Sequence, residues 1–255
     1  MEPSCPIGGL ALRPLPTLAL AVVLSLTLPA QAAEIVRVAR VLDATRLELE
    51  DGRRVRLGGL RVPAAEAHAG AARAALAELI GDREARLLPA AGGRDRWGEL
   101  VAQIERDDGL WLQGALLEAG LAQVQTRPGE VERAADLRAA ERVARAASRG
   151  LWADPAEGPQ AADDAHADIG SFRIVHGRVL RVADTRNFVY LNFGADWRTD
   201  FTLRLDKPAA AALARALDAP LEQLAGRRIE ARGFLVEAGG PLIDVSHPEQ
   251  IEVLP

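Results

Sequence analysis

What most constrains this chain is alternation at every second residue, clearest in Val36–Pro63, VRVARVLDATRLELEDGRRVRLGGLRVP. Leu47 and Leu49 alternate with Arg46, Glu48 and Glu50, the pattern of a strand with one buried face. Asp51-Gly52 interrupts the alternation as a turn. A Glu50-Asp51-Gly52 loop sets Leu47 opposite Val55 and Glu48 opposite Arg54, apolar against apolar and acid against base. A shorter Asp51-Gly52 loop would set Leu49 against Arg54 instead. The longer loop is therefore preferred, with Gly52 in the left-handed backbone region. The stretch reads as three consecutive strands of a small barrel.

The following residues complete a recognisable order. Pro63–Gly81 (PAAEAHAGAARAALAELIG) is an alanine-rich helical pattern opened by proline and stopped by glycine. Arg83–Pro89 and Glu99–Ile104 read as strands, with Ala91-Gly92-Gly93 between them. Helices are expected over Leu110–Ala119, capped by Asp108, and over Glu130–Ala147. Three strands, a helix, then two strands is the OB-fold arrangement. Residues 154–170 are aperiodic and rich in Ala, Asp, Pro and Gly, as in a linker. Residues 171–255 then repeat the order, with strands expected over Arg173–Val182, Phe188–Phe193, Asp200–Leu205, Arg227–Val236 and Pro241–Val253 and a helix over Lys207–Leu217. The expected fold is mainly β with helices (α+β): an OB-fold barrel over residues 33–153 and a second, smaller OB-like β-barrel over residues 171–255.

Composition sets the class of chemistry. The net charge is −5 and the pI near 5.5, which argues against a general nucleic-acid binder but leaves room for a local basic face. Aromatic residues make up 4% of the chain, so any core is aliphatic. Arg13, the apolar run Leu15–Leu28 and the small-x-small Ala30-Gln31-Ala32 read as a signal peptide over residues 1–32, cleaved after Ala32. The run is short for a membrane helix, and no other stretch is apolar enough, so no stable membrane span is expected after cleavage. The expected location is outside the cytoplasm, periplasmic or secreted. The single cysteine, Cys5, falls in the leader, so the processed chain would have no disulfide, thiolate metal site or cysteine nucleophile.

Three pieces in the first domain carry a resemblance: VLDATRLEL (Val41–Leu49), VRLGGLRVPAAE (Val55–Glu66) and DRWGELVAQIERDDGLWLQGALLEAGLAQV (Asp95–Val124), followed by the stop RAASRGLW (Arg145–Trp152). In this order they resemble the staphylococcal nuclease (thermonuclease) family. Tyr190–Gly194 (YLNFG) and Val245–Leu254 (VSHPEQIEVL) resemble an accessory domain that accompanies some bacterial thermonuclease-like proteins. The resemblance implies Ca²⁺-dependent phosphodiester hydrolysis, which needs carboxylates for the cation, a base for the water and arginines for the phosphate.

Carried over residue by residue, that set is degenerate. The first metal-binding aspartate falls at Thr45 and the second at Arg61, a charge reversal. The adjoining threonine falls at Val62, the glutamate assigned to the water at Ala64, and the second arginine at Glu99. Arg56 is the one catalytic residue of the family retained, and Asp43 matches an acidic position beside the metal ligands. Strand alternation alone puts Arg56 on the solvent face, so its place in a site comes from the resemblance.

His68, His166, His176 and His247 are scattered without metal-ligand spacing, and Gly92-Gly93 lacks the setting of a nucleotide loop. Arg54, Arg56, Arg61, Arg94 and Arg96 with Trp97 could hold a nucleic-acid backbone and stack a base, or be arginines paired with Glu48, Glu50 and Glu99. The first expectation is thus an exported binding or scaffold protein without catalysis and without a cofactor, its partner a nucleic acid or an envelope protein. The alternatives are a nuclease with a rearranged site, through Asp43, Glu66 and Arg56 with Ca²⁺, and a nucleic-acid-binding module using Arg96 and Trp97.

Overall fold

The structure is a computed structural model that describes Met1 and residues 33–255; the expected leader, with Cys5, lies outside the described residues. The first sheet is built from β1 (Glu34–Val41), β2 (Arg46–Leu49), β3 (Arg54–Leu57), β5 (Glu84–Arg94) and β6 (Leu100–Arg106). They close into a barrel in the order β1-β2-β3-β6-β5, with β5 pairing back onto β1. The β2–β3 hairpin has the register set by its pattern, Leu47 opposite Val55 and Glu48 opposite Arg54. Gly52 sits at φ +82°, and its N–H donates to the Leu49 carbonyl at 3.0 Å, as the longer loop requires. A two-stranded ribbon, β4 (Leu60–Arg61) with β7 (Gln123–Val124), extends one end of the barrel.

Three helices pack on this barrel: α1 (Glu66–Ile80), α2 (Leu112–Glu118) and α3 (Ala134–Ala146). Helix α1 buries Ala72, Leu76 and Ile80 against an aliphatic core that includes Leu47, Val55, Leu57, Leu87 and Ile104. Asp108 does not cap α2 as expected; it accepts from the Leu110 N–H and from Arg106, and the helix begins after Trp111 without a side-chain cap.

Residues 154–170, expected as an aperiodic linker, hold short helical turns and the strand β8 (Gln160–Ala161). The second sheet comprises β8, β9 (Phe172–Arg178), β10 (Arg181–Asp184), β11 (Phe188–Asn192), β12 (Thr202–Asp206), β13 (Arg228–Ala238) and β14 (Gly240–Val245). Helix α4 (Lys207–Leu217) follows β12, and β15 (Ile251–Val253) pairs with the first half of β13. The order is β10-β11-β12-β14-β13-β9-β8.

This corrects the expected second barrel: the sheet is an open, uncurled half-barrel. The chain expected as one strand over 173–182 breaks at Val179-Leu180 into β9, which pairs with β13, and β10, which pairs with β11. No ladder joins β10 to β8, so the strand order matches the first barrel without its closure. One face of the half-barrel is covered by α4 and by the helical turns at Ala162–Asp168 and Leu221–Leu224; it carries the core residues Val189, Leu191, Leu203, Leu205 and Ile243.

The two halves share a small apolar seam, Ala144 and Trp152 against Phe172 and Ile174. Beside it lies a buried charge network. Arg232 donates to Glu141 at 2.9 Å and to Glu230 at 2.8 Å, and Arg145 forms two hydrogen bonds to Glu230 at 3.0 and 2.8 Å. Burial opposes the charge on Glu230, but Arg145 and Arg232 outweigh it and hold its carboxyl below the usual range. Among the described residues, no helix is long and apolar enough to cross a membrane.

Candidate functional site

Four segments converge at one end of the barrel: the β1–β2 loop with Asp43 and Thr45, strand β3 with Arg56, the β4 exit with Arg61, Val62 and Ala64, and the Asp95–Gly98 turn. They line a groove of about 350 Å³ that also takes in Trp97 and Arg127. The structure therefore brings together Asp43, Thr45, Arg56, Arg61, Val62 and Ala64. Glu99 lies in an adjoining groove, which Trp97 also borders. Glu66 is the exposed first residue of α1 and does not line the groove.

Asp43 is the one carboxylate in the groove lining, and it is occupied. Its Oδ1 accepts from the Thr45 N–H at 2.8 Å and the Thr45 hydroxyl at 3.2 Å, and its Oδ2 from Arg46 at 3.1 Å. Arg46 also pairs with Glu99, Nε to Oε2 at 2.9 Å. Glu99 thus sets an acid against Arg46, which lines both grooves.

Arg56 departs from its expected setting. Strand parity does place it on the outer face of the barrel, opposite Arg46, but that face is covered and the residue is only 6% exposed. The chain leaving β7 folds across it, and Glu130 takes the guanidinium through two hydrogen bonds at 3.1 and 2.5 Å. Asp95 takes the Arg56 Nε at 3.2 Å. Burial opposes the Arg56 charge, yet the two carboxylates outweigh it and raise its pKa. Asp95 also accepts from the N–H groups of Trp97 and Glu99 at 3.0 and 3.1 Å, so one side chain shapes the turn and holds Arg56.

The covering loop is docked by close backbone contact. Gly92 N–H donates to the Gly129 carbonyl at 2.9 Å. Gly129 lies at φ +79°, and a Cβ there would come within 3.1 Å of the Gly92 Cα. Gly92-Gly93 therefore serves as a backbone landing for this loop. Asp95, Glu130 and Arg127 were missed as site residues. Asp95 had a signal, as the first residue of the Asp95-Arg96-Trp97-Gly98 piece; for Arg127 and Glu130 the signal was Thr126-Arg127-Pro128-Gly129-Glu130, which reads equally well as the start of a helix.

Among the described residues, two cations in the groove make no salt bridge. Arg61 donates to Gln123 Oε1 and lies 4.7 Å over the Phe172 ring, and burial lowers its pKa. Arg127 is exposed. Neither makes a salt bridge among the described residues, whereas Arg46 and Arg56 are paired. Trp97 is 59% exposed, with Arg96 stacked at 4.0 Å and Arg46 at 5.8 Å. Arg54 is 4.0 Å from Glu48, so the expected arginine set is part ion-paired and part free.

A Ca²⁺ ion does not fit this donor set. Hard cations take six to eight oxygen ligands, several of them carboxylate. Here one carboxylate faces the groove, already bonded to a hydroxyl, an amide and a guanidinium. Arg61 places a positive charge in the same lining, where it repels a cation. Among the described residues there is no group of three or more His, Cys, Asp or Glu placed to hold a metal.

Comparison with known proteins bears on the first half. A search of curated proteins gave no match. The family model described as "Staphylococcal nuclease homologue" matches residues 52–154, beginning inside the β2–β3 hairpin and ending just past Trp152. With the closed five-stranded barrel, that match shows that the chain carries a domain of the staphylococcal nuclease family over residues 52–154.

Proposed function

We propose that this chain is an exported binding protein whose nuclease-type groove holds an anionic strand without a metal ion and without cleaving it. The observation that carries this reading is the exchange of charge in the groove. Asp43 is the single carboxylate, Arg61 stands at a metal-ligand position of the resembled family, and Arg56 is locked between Asp95 and Glu130. A catalytic arginine must be free to meet charge developing on a phosphate. Arg56 has its Nε and both terminal nitrogens engaged by carboxylates.

Arg61 and Arg127 supply what a phosphodiester backbone needs for binding alone. They are cations without carboxylate partners, beside an exposed tryptophan on which a base can stack. Each phosphate contact releases counterions, so affinity should fall steeply with salt. The test is fluorescence anisotropy of a labelled single-stranded oligonucleotide titrated with the full chain. Binding should be equal in Ca²⁺ and EDTA, fall with ionic strength, and weaken about tenfold in Arg61→Ala with Arg127→Ala. Binding that requires Ca²⁺, or that the double substitution leaves unchanged, would refute it.

A further inference from the structure

The uncovered face of the half-barrel carries a second built cavity, distant in sequence from the groove above. The registers align two cross-strand rows on it: Arg181–Asn192–Thr202–Leu242 and Ala183–Tyr190–Arg204–Asp244. All members of these rows except Asp244, with Trp197, line a cavity of about 350 Å³, within the range of small-ligand sites. Val189 and Leu191 point the other way, into the core, so this polar and aromatic face is a consequence of strand alternation.

The cavity has an aromatic side and a donor side. Trp197 is 57% exposed, yet its loop is tightly held. Asp196 N–H donates to Asp200 Oδ2 at 2.8 Å, Arg198 N–H donates to Asp196 Oδ1 at 3.0 Å, and a Cβ on Gly240 would lie 2.7 Å from the Thr199 backbone. Tyr190 shares the cavity, and Phe188 extends the aromatic surface with its ring 6.1 Å from that of Tyr190.

The lining contains two guanidinium groups and no carboxylate. Arg204 is neutralised from outside the lining by Asp244, at 2.6 and 2.8 Å. Arg181 makes no salt bridge among the described residues. Asn192 Oδ1 accepts from Thr202, which leaves the amide N–H₂ as a further donor. The acceptors in the lining are the Thr185, Tyr190 and Thr202 hydroxyls and the Asn192 Oδ1, none of them charged, so the charge the lining presents is cationic. A flat ring bearing an anion matches both sides.

We propose that this face binds a nucleotide, with the base against Trp197 and Tyr190 and the phosphate on Arg181. The site does not depend on whether the barrel groove binds a strand. Free nucleotides and single strands share this chemistry, and they are separated by experiment.

The test is a tryptophan-fluorescence titration of the full chain with AMP, adenosine, inorganic phosphate, a short oligothymidylate and polygalacturonate. AMP or the oligonucleotide should quench fluorescence at concentrations about tenfold below adenosine or phosphate alone, as expected for joint stacking and a charge-assisted contact. In the Arg61→Ala/Arg127→Ala background, which removes the barrel groove's cations, comparable affinity for AMP and the strand assigns the site to free nucleotides, and a strand preference of about tenfold or more assigns it to single-stranded nucleic acid. Trp197→Phe should abolish most of the quench, and Arg181→Ala should weaken AMP while leaving adenosine unchanged. Both positions are exposed, so neither substitution threatens the fold. Arg61→Ala with Arg127→Ala should leave AMP quenching intact, which separates this site from the barrel groove. No quenching by AMP or the strand, equal affinity for polygalacturonate, or insensitivity to Arg181→Ala would overturn the proposal.

Discussion

Replacing Arg56 with methionine separates a catalytic arginine from a structural one. Methionine retains much of the volume and removes the charge. In the native chain, the Arg56, Asp95 and Glu130 side chains are 7%, 5% and 9% exposed. The substitution leaves two shielded carboxylates without their cation. Breaking a buried pair from one side costs about 3–5 kcal/mol. For a folded region of this size, that is a fall in Tm of roughly 6–20 °C. The assay is thermal unfolding by circular dichroism at neutral pH, with Arg56→Met/Glu130→Gln as the companion variant. Removing the second charge should recover part of the loss.

The pH dependence gives an independent check. The Asp95 carboxyl is pushed up by burial, but the Trp97 N–H, Arg56 and the Glu99 N–H outweigh that and hold it below the usual aspartate range. A depressed carboxyl contributes stability above its unfolded pKa and loses it as pH falls through the folded pKa. Part of that contribution comes from Arg56, so the gap between native chain and variant should narrow in acid. A Tm change within ~2 °C at neutral pH, about what a ΔΔG of 0.5–1 kcal/mol gives, would refute the reasoning and leave Arg56 free for chemistry.

Other consequences are as direct. Arg232→Met leaves Glu141, whose side chain is 1% exposed, with only the longer contact to Arg145 at 3.9 Å, and should cost about 3 kcal/mol in urea unfolding. Adding Glu141→Gln should recover much of that, whereas an unchanged midpoint in Arg232→Met would show that the network between the halves is dispensable. His247 is buried and bonded through Nε2 to Thr126 at 2.8 Å, and burial pushes its pKa down. The unfolded chain therefore takes up the proton first, so stability should fall as pH drops from the usual histidine range through the lowered folded value. His247→Gln should flatten that part of a Tm-against-pH curve. Gly129→Ala puts a Cβ at a left-handed position against Gly92 and should destabilise by about 1–2 kcal/mol in thermal unfolding.

Much of the first half was legible because local signals agreed. Alternation fixed the face of Leu47 and Leu49, charge pairing chose the register, and Gly52 supplied the backbone that this register needs. The groove residues Asp43, Thr45, Arg56, Arg61, Val62 and Ala64 were legible from the resemblance, since they sit on strands and strand exits whose order is visible. What was not legible depends on contacts distant in sequence. Parity gave Arg56 the correct face, but no local pattern shows that residues 126–130 fold over that face and bring Glu130 to it. The second sheet failed to close for a similar reason. Strand order sets neighbours, whereas closure depends on whether one strand can pair on both sides. The break at Val179-Leu180 divides those pairings between β9 and β10.

The measurement that tests the central claim most directly is a cleavage assay on the full chain with single- and double-stranded DNA and RNA in Ca²⁺, Mg²⁺ or EDTA. Asp43→Ala serves as the control for contaminating nuclease. We expect intact substrate in every condition, because the groove lining presents one occupied carboxylate together with the Arg61 cation. Metal-dependent cleavage that disappears in Asp43→Ala would contradict this account and restore the groove as an active site.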